Sequence, residues 1–363
     1  MTPGLPENGA VSAGAAKPSP WLPGWAAQLV AWRRHALGYY DARTAGYYRH
    51  VWNRRNGLAS LVAWLRFRRE LGQPLGPELA QGLRGALGDA RGAAAWQAVE
   101  LLLEADALED YAGNKGLVWL KPHAEHSPPI AHHLLGAGVA LTPRATGLAE
   151  LFEHQTRWRQ AFGEYLSACR GNICVVGNAG SLNGSGLGAA IDDHRLVVRF
   201  NRWASPSTAQ GDLGSRLDVW VCAPRFLPKV FSLDRGLARW MVVTGPDARY
   251  HRAGRAVDWD VVLKMLDTGV KVLTIPLSVW RDPVAQIGAP PSAGVLFLAW
   301  SRPFITGFDR LAIAGFDIAA TGTKGYHHAG ARFRPARRHD WASEGSLLDG
   351  WKNKGLRYLT GSA

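Results

Sequence analysis

Residues 172–201 read NICVVGNAGSLNGSGLGAAIDDHRLVVRFN. A β-branched run at 173–177 enters a turn that carries Gly177, Gly180, Gly184, Gly186 and Gly188. A second apolar run, 195–200, leaves it and ends in Asn201. Glycines directly after a strand let backbone N–H groups approach a phosphate without interference from a Cβ, and a following helix N-terminus adds a favourable dipole. Glycines also serve close packing alone, so the turn by itself does not choose a ligand.

Working outward, further short β-branched runs follow at 216–223, 240–245, 270–276 and 310–317, with helix-compatible segments AVDWDVVLKMLDTG and SAGVLFLAWSRPF between several of them. Strands apolar on both faces, alternating with helices, argue a mostly parallel sheet covered by helices, with the ligand site at its strand ends. From 21 to 166 the pattern is instead helical: WAAQLVAWRRHALGYY, LASLVAWLRFRREL and AAAWQAVELLLEADALEDY place apolar residues at three- and four-residue spacing. The expected layout is a disordered tail (1–20), a helical N-terminal region (21–166) and an α/β domain (167–363) that holds the ligand site. The GYY triplets at 38–40 and 46–48 are too close for a repeat architecture and read as coincidence. The Arg33/Arg34, Arg54/Arg55 and Arg66/Arg68/Arg69 groups read as solvated helix faces, and PHAEHSPPIAHHL as a polar loop.

The formal net charge of +13 selects polyanionic partners by sign, whether nucleic acid, anionic lipid or acidic glycans. Three cysteines give no disulfide framework and point to a reducing compartment. The first 20 residues lack the charged and apolar regions of a signal peptide, and no apolar run is long enough to cross a bilayer. The expectation is a cytoplasmic protein, peripheral to the inner membrane at most.

A dinucleotide-binding turn requires an acid at the end of the second strand to hold the ribose hydroxyls. Here that strand ends RFNRW, the glycine spacing departs from G-x-G-x-x-G, and no Walker Lys-Ser/Thr follows. NAD and ATP are disfavoured. The stretch 173–201 resembles instead the large sialyl motif of the eukaryotic-type sialyltransferases, glycosyltransferase family 29. The similarity runs on through GDLGSRLDVWV (211–221). PPSAGVLFLAWSRPFITGFDRLAIAGFD (290–317) resembles the small motif, GYHHAG (325–330) the third, and HDWASE (339–344) the His-x-x-x-x-Glu of the very small motif. Four motifs in order are more specific than any one; the N-terminal half shows no such match.

The resemblance implies a Rossmann-like, GT-A-variant fold and a CMP-activated sugar, sialic acid or Kdo, as donor. It implies that Asn178 and Asn201 hold the nucleotide, that Ser292 and Gly294 contact CMP, and that Gly177 and Gly315 belong to the same substrate site. His327, with His328 as its rival, would steady the departing phosphate. His339 would be the general base, supported by Glu344. Histidine titrates near neutrality and suits that proton transfer, and a single in-line displacement inverts the anomer. Asp258 and Asp260 form an Asp-x-Asp, read here as a helix cap, so neither metal nor other cofactor is expected.

Departures from the family pattern are specific. Ile173 stands where the family has a disulfide cysteine, Cys174 follows it, the small motif has no cysteine, and Ala293 replaces a threonine. They suggest a bacterial-type relative acting on a glycan or lipid-linked glycan, its basic, Trp-rich N-terminal part touching an anionic membrane. The competing readings are a nucleic-acid- or membrane-surface-binding protein with a structural glycine loop, and an oxidoreductase. No element resembles a nucleic-acid reader, so no nucleic acid partner is expected.

Overall fold

The computed structural model describes residues 18–108, 118–169, 172–201, 210–223, 238–246, 259–305, 307–309, 311–317 and 339–360. The β-branched runs become strands β1 (Ile173–Val176), β2 (Leu196–Phe200), β3 (Val219–Cys222), β4 (Trp240–Pro246), β5 (Lys271–Ile275) and β6 (Leu311–Ala314), with a seventh, β7 (Arg357–Tyr358). Every neighbouring pair is parallel, in the order β5-β4-β3-β2-β1-β6-β7. β1, β2, β3 and β6 are buried along their whole length, which explains their apolar content, Arg199 of β2 excepted. β7 is two residues with no apolar run, so nothing in the sequence announces it.

The chain steps outward from β1 to β5, then returns through the helices Leu277–Ile287 and Ala293–Ser301 to lay β6 on the other side of β1. The order therefore reverses between β1 and β6. In open α/β sheets that reversal opens a crevice at the carboxyl ends of the strands.

The long helix Pro143–Ala168 serves the other edge. Gln155 donates from Nε2 to the Val272 carbonyl at 3.0 Å and accepts the Thr274 amide on Oε1 at 2.8 Å. Arg159 adds bonds to the Thr274 carbonyl and hydroxyl at 2.9 and 2.7 Å. Side chains thus satisfy the open ladder of β5, which would otherwise be an edge ready to pair with another chain. Phe162 of the same helix packs on Trp240 and Trp300.

By contacts the chain divides into two units: Met1–Phe152 with Gly288–Pro290 and Ala336–Arg338, and Glu153–Ile287 with Pro291–Pro335 and His339–Ala363. The first is helical, with helices Gly24–Ala36, Ala42–Arg55, Leu58–Glu70, Pro77–Leu87, Ala93–Glu104 and Pro128–Gly136.

Three expectations for this unit are corrected. The GYY triplets are not a coincidence: Tyr40 and Tyr48 bring their hydroxyls to opposite nitrogens of one ring, His35, at 3.1 and 2.9 Å. The histidine-rich stretch is helical, not a loop. Ser127 caps the helix Pro128–Gly136, whose first two residues are prolines, and proline at a helix start removes only an N–H that has no partner there anyway. Arg69 is buried, not solvated, and donates to Glu104 at 2.6 Å, because a charge withdrawn from water must be paired.

Candidate active site

The glycine-rich turn begins where β1 and β6 end side by side. The Gly177 amide donates to the Ala314 carbonyl at 2.8 Å and the Ala179 amide to Gly315 at 3.2 Å. A Cβ on Gly177 would run into the Gly315 carbonyl, so close backbone approach dictates this glycine. Gly315 has φ +66°, which glycine adopts at little cost.

The neighbouring Phe316 joins two motifs. It meets the Phe200 ring edge-on at 6.1 Å, and its ring would lie 2.6 Å from a Cβ on Gly294. Gly294 belongs to the first turn of the helix Ala293–Ser301, which Ser292 caps by accepting the Val295 amide. A Cβ on Gly177 would also lie 3.0 Å from the Phe316 ring, so that ring links the start of this helix to the end of β1.

Asn178 donates from Nδ2 to the Phe200 carbonyl at 3.0 Å and so ties the end of β1 to the end of β2. Asn201 follows β2 at φ +51°, a left-handed conformation that Asn tolerates better than most residues. Its Oδ1 accepts the Ala223 amide at 2.8 Å, and its own carbonyl accepts from Trp220 Nε1 at 2.8 Å. A carboxylate could also accept that amide but carries no N–H; Asn keeps a donor at the strand end.

Glu344 links this group to the C-terminal motif. It sits in the first turn of the helix Trp341–Lys352 with no solvent exposure. Its Oε1 accepts the Ser292 amide at 2.6 Å and stands 3.8 Å from His339 Nδ1. His339 meets Trp341 edge-on at 5.2 Å and is mostly buried. A continuous series of contacts therefore runs from Asn178 through Phe200, Phe316, Gly294 and Ser292 to Glu344 and His339. His327, His328 and Asp258 lie outside the described residues. Asp260 falls in the first turn of the helix Trp259–Asp267.

The glycine turn itself is held differently from the expectation. Asp212 accepts the Gly184 and Gly186 amides at 2.7 and 2.8 Å, and these bonds hold its carboxyl below the usual range. Asp317 accepts both the amide and the hydroxyl of Ser181. These amides bind protein carboxylates, so they are not the phosphate cradle that the glycine count suggests. Asp192 accepts the Ser215 and Arg216 amides at 2.7 and 3.0 Å, and a Cβ on Gly214 would strike its Oδ1. Arg199, buried on β2, donates to the Leu213 and Arg216 carbonyls at 2.6 and 2.7 Å. Burial lowers its pKa to about 10, which still leaves it charged at neutral pH.

Asp192, Asp212 and Asp317 hold the turn and the segment beside it, a role that reading the motifs missed.

Residues 144–242 match the model of glycosyltransferase family 29 (sialyltransferase). That segment, about a quarter of the chain, is similar to family 29. The match includes β1, the glycine turn, β2 and β3, and stops before the small motif. No curated protein matches the chain significantly. Among solved structures, a mammalian sialyltransferase in complex with Gal-beta-1-3GalNAc-ortho-nitrophenol is similar at 18% identity, covering 52% of this chain and 69% of that one, with a TM-score of 0.37. A second mammalian sialyltransferase structure gives 19%, 52%, 69% and 0.38. All three cysteines, Cys169, Cys174 and Cys222, are buried and free, so the disulfide expected from the resemblance has no counterpart here, and burial pushes the Cys174 thiol up to about 12.

Proposed function

We propose that this glycosyltransferase moves a sialic acid or Kdo-type sugar from its CMP donor to a hydroxyl of a glycan or lipid-linked glycan, with inversion and without a metal. The observation that carries the reading is the contact path joining Asn178 to Ser292 and, through one Glu344 oxygen, to His339.

In this mechanism Asn178 and Asn201 offer the nucleotide the polar atoms their structural bonds leave: Oδ1 of the first and Nδ2 of the second. Ser292 and Gly294 present the start of a helix, whose dipole favours the monophosphate that leaves. Glu344 orients His339 through Nδ1, and Nε2, on the far side of the ring, takes the acceptor hydroxyl's proton as the glycosidic bond forms. One of His327 and His328 stabilises the departing CMP. The buried carboxylate also stabilises the imidazolium that this transfer creates. Three reduced, buried cysteines support residence in the cytoplasm.

The test supplies CMP-sialic acid and CMP-Kdo with a glycan acceptor, with and without EDTA. Transfer from either donor, insensitive to EDTA and giving the inverted anomer, supports the reading. Retention of configuration, or transfer abolished by EDTA, rejects the mechanism.

A further inference from the structure

The helix Gly24–Ala36 is amphipathic in the wrong sense for a soluble surface. It buries Ala27 and Ala31 completely, while Trp25, Leu29 and Trp32 are 66%, 56% and 65% exposed. These three sit at positions i, i+4 and i+7, one face of the helix, and Trp21, 87% exposed, lies in the turn just before the helix starts. Large rings left in water beside a face lined with alanine are an unpartnered surface.

Arginines frame the row. Arg54 donates to the Pro20 carbonyl, and Arg54 and Arg55 pack against Gly24, at the end of the row that holds Trp21 and Trp25. Arg33 lies at the other end, next to Trp32, and is exposed. Of the arginines in residues 18–71, Arg33, Arg43, Arg54 and Arg55 are exposed, and the range holds no lysine and no exposed acid. A second copy docking through this face would set cationic rims against each other. Residues 1–17 contain no aromatic residue, and their largest apolar side chains are Met1, Leu5 and Val11.

We infer that the Trp21–Trp25–Leu29–Trp32 row is a docking surface for an anionic lipid bilayer. Indole rings settle at the headgroup level, apolar body inward, while the flanking arginines meet anionic headgroups. The inference is independent of the sugar-transfer reading and stands or falls without it.

The experiment is sedimentation of the full chain with phosphatidylglycerol/phosphatidylcholine vesicles and with phosphatidylcholine vesicles alone. The wild type is expected to pellet with the anionic vesicles, with a blue shift in Trp emission, and to release as salt rises. Trp25→Ser/Trp32→Ser should abolish the pellet at unchanged melting temperature. Arg33→Gln/Arg55→Gln should lower partitioning about thirtyfold. Wild-type chain that stays in solution, or binds both vesicle types equally, overturns the inference. A concentration-dependent dimer that Trp25→Ser/Trp32→Ser dissociates would assign the row to a second copy instead.

Discussion

Glu344 Oε1 stands 3.8 Å from His339 Nδ1, inside a side chain that has no contact with solvent. The same oxygen accepts the Ser292 amide at 2.6 Å, so one buried carboxylate faces both the helix cap and the imidazole. The two motifs at the C-terminal end of the chain are thereby one mechanical unit.

For His339→Ala the expected result is a fall in kcat of about 10²–10⁴-fold with CMP affinity within about twofold of the wild type. Glu344→Gln keeps an acceptor for the Ser292 amide but loses the charge, so it should lower kcat less than His339→Ala and leave donor KM nearly unchanged. Steady-state kinetics and CMP calorimetry on both variants check this. Wild-type kcat in His339→Ala would remove His339 from the reaction.

Asp212→Asn replaces an oxygen that accepts one of the two glycine amides with an NH₂ group. The turn should loosen, lowering the melting temperature and CMP affinity together. The sign with pH follows from the depressed carboxyl. Its stabilisation is present above the ordinary Asp range and is lost as pH falls through the lower folded value. Melting curves of the wild type should therefore converge on those of Asp212→Asn at acid pH.

Much of the fold was legible in the chain. Six strands lie where β-branched runs place them, because buried parallel strands are apolar on both faces and show as unbroken runs. Asn178, Ser292, Glu344 and His339 came from motif order and prove joined by contacts. What stayed hidden was long-range polar pairing. Nothing near Gly184 announces that a carboxylate 28 residues on takes its amide. Tyr40 and Tyr48 look like chance until one histidine is seen to hold both. Prolines 128 and 129 read as breakers because their effect depends on whether they open a helix or interrupt one.

Gly177 and Gly350 should respond oppositely to alanine. Gly177→Ala drives a Cβ into a carbonyl oxygen and should cost about 1–3 kcal/mol. Gly350, inside the helix Trp341–Lys352 with no neighbour within 4 Å, should gain about 0.4–1 kcal/mol. Urea denaturation midpoints of the two variants decide it.

Glu100 is buried and accepts a hydrogen bond from Ser127 at 2.7 Å, and burial raises its pKa to about 7. The unfolded chain releases that proton near pH 4.5, so this group makes folding less favourable as pH rises from there to about 7. Glu100→Gln removes the titration. The variant should gain stability relative to the wild type between pH 5 and 7.5, read as the difference between their melting temperatures across that range.

The central claim is that the strand ends around Gly177, Asn201 and Gly315 receive a cytidine monophosphate. Its most direct test is thermal unfolding in the presence of CMP, ATP or NAD, each at a hundredfold over its dissociation constant where binding is found. CMP alone should stabilise the wild type, by about 2.7 kcal/mol, and Asn178→Ala should lose most of that shift. Stabilisation by NAD or ATP in place of CMP, or a CMP shift untouched in Asn178→Ala, would contradict the account.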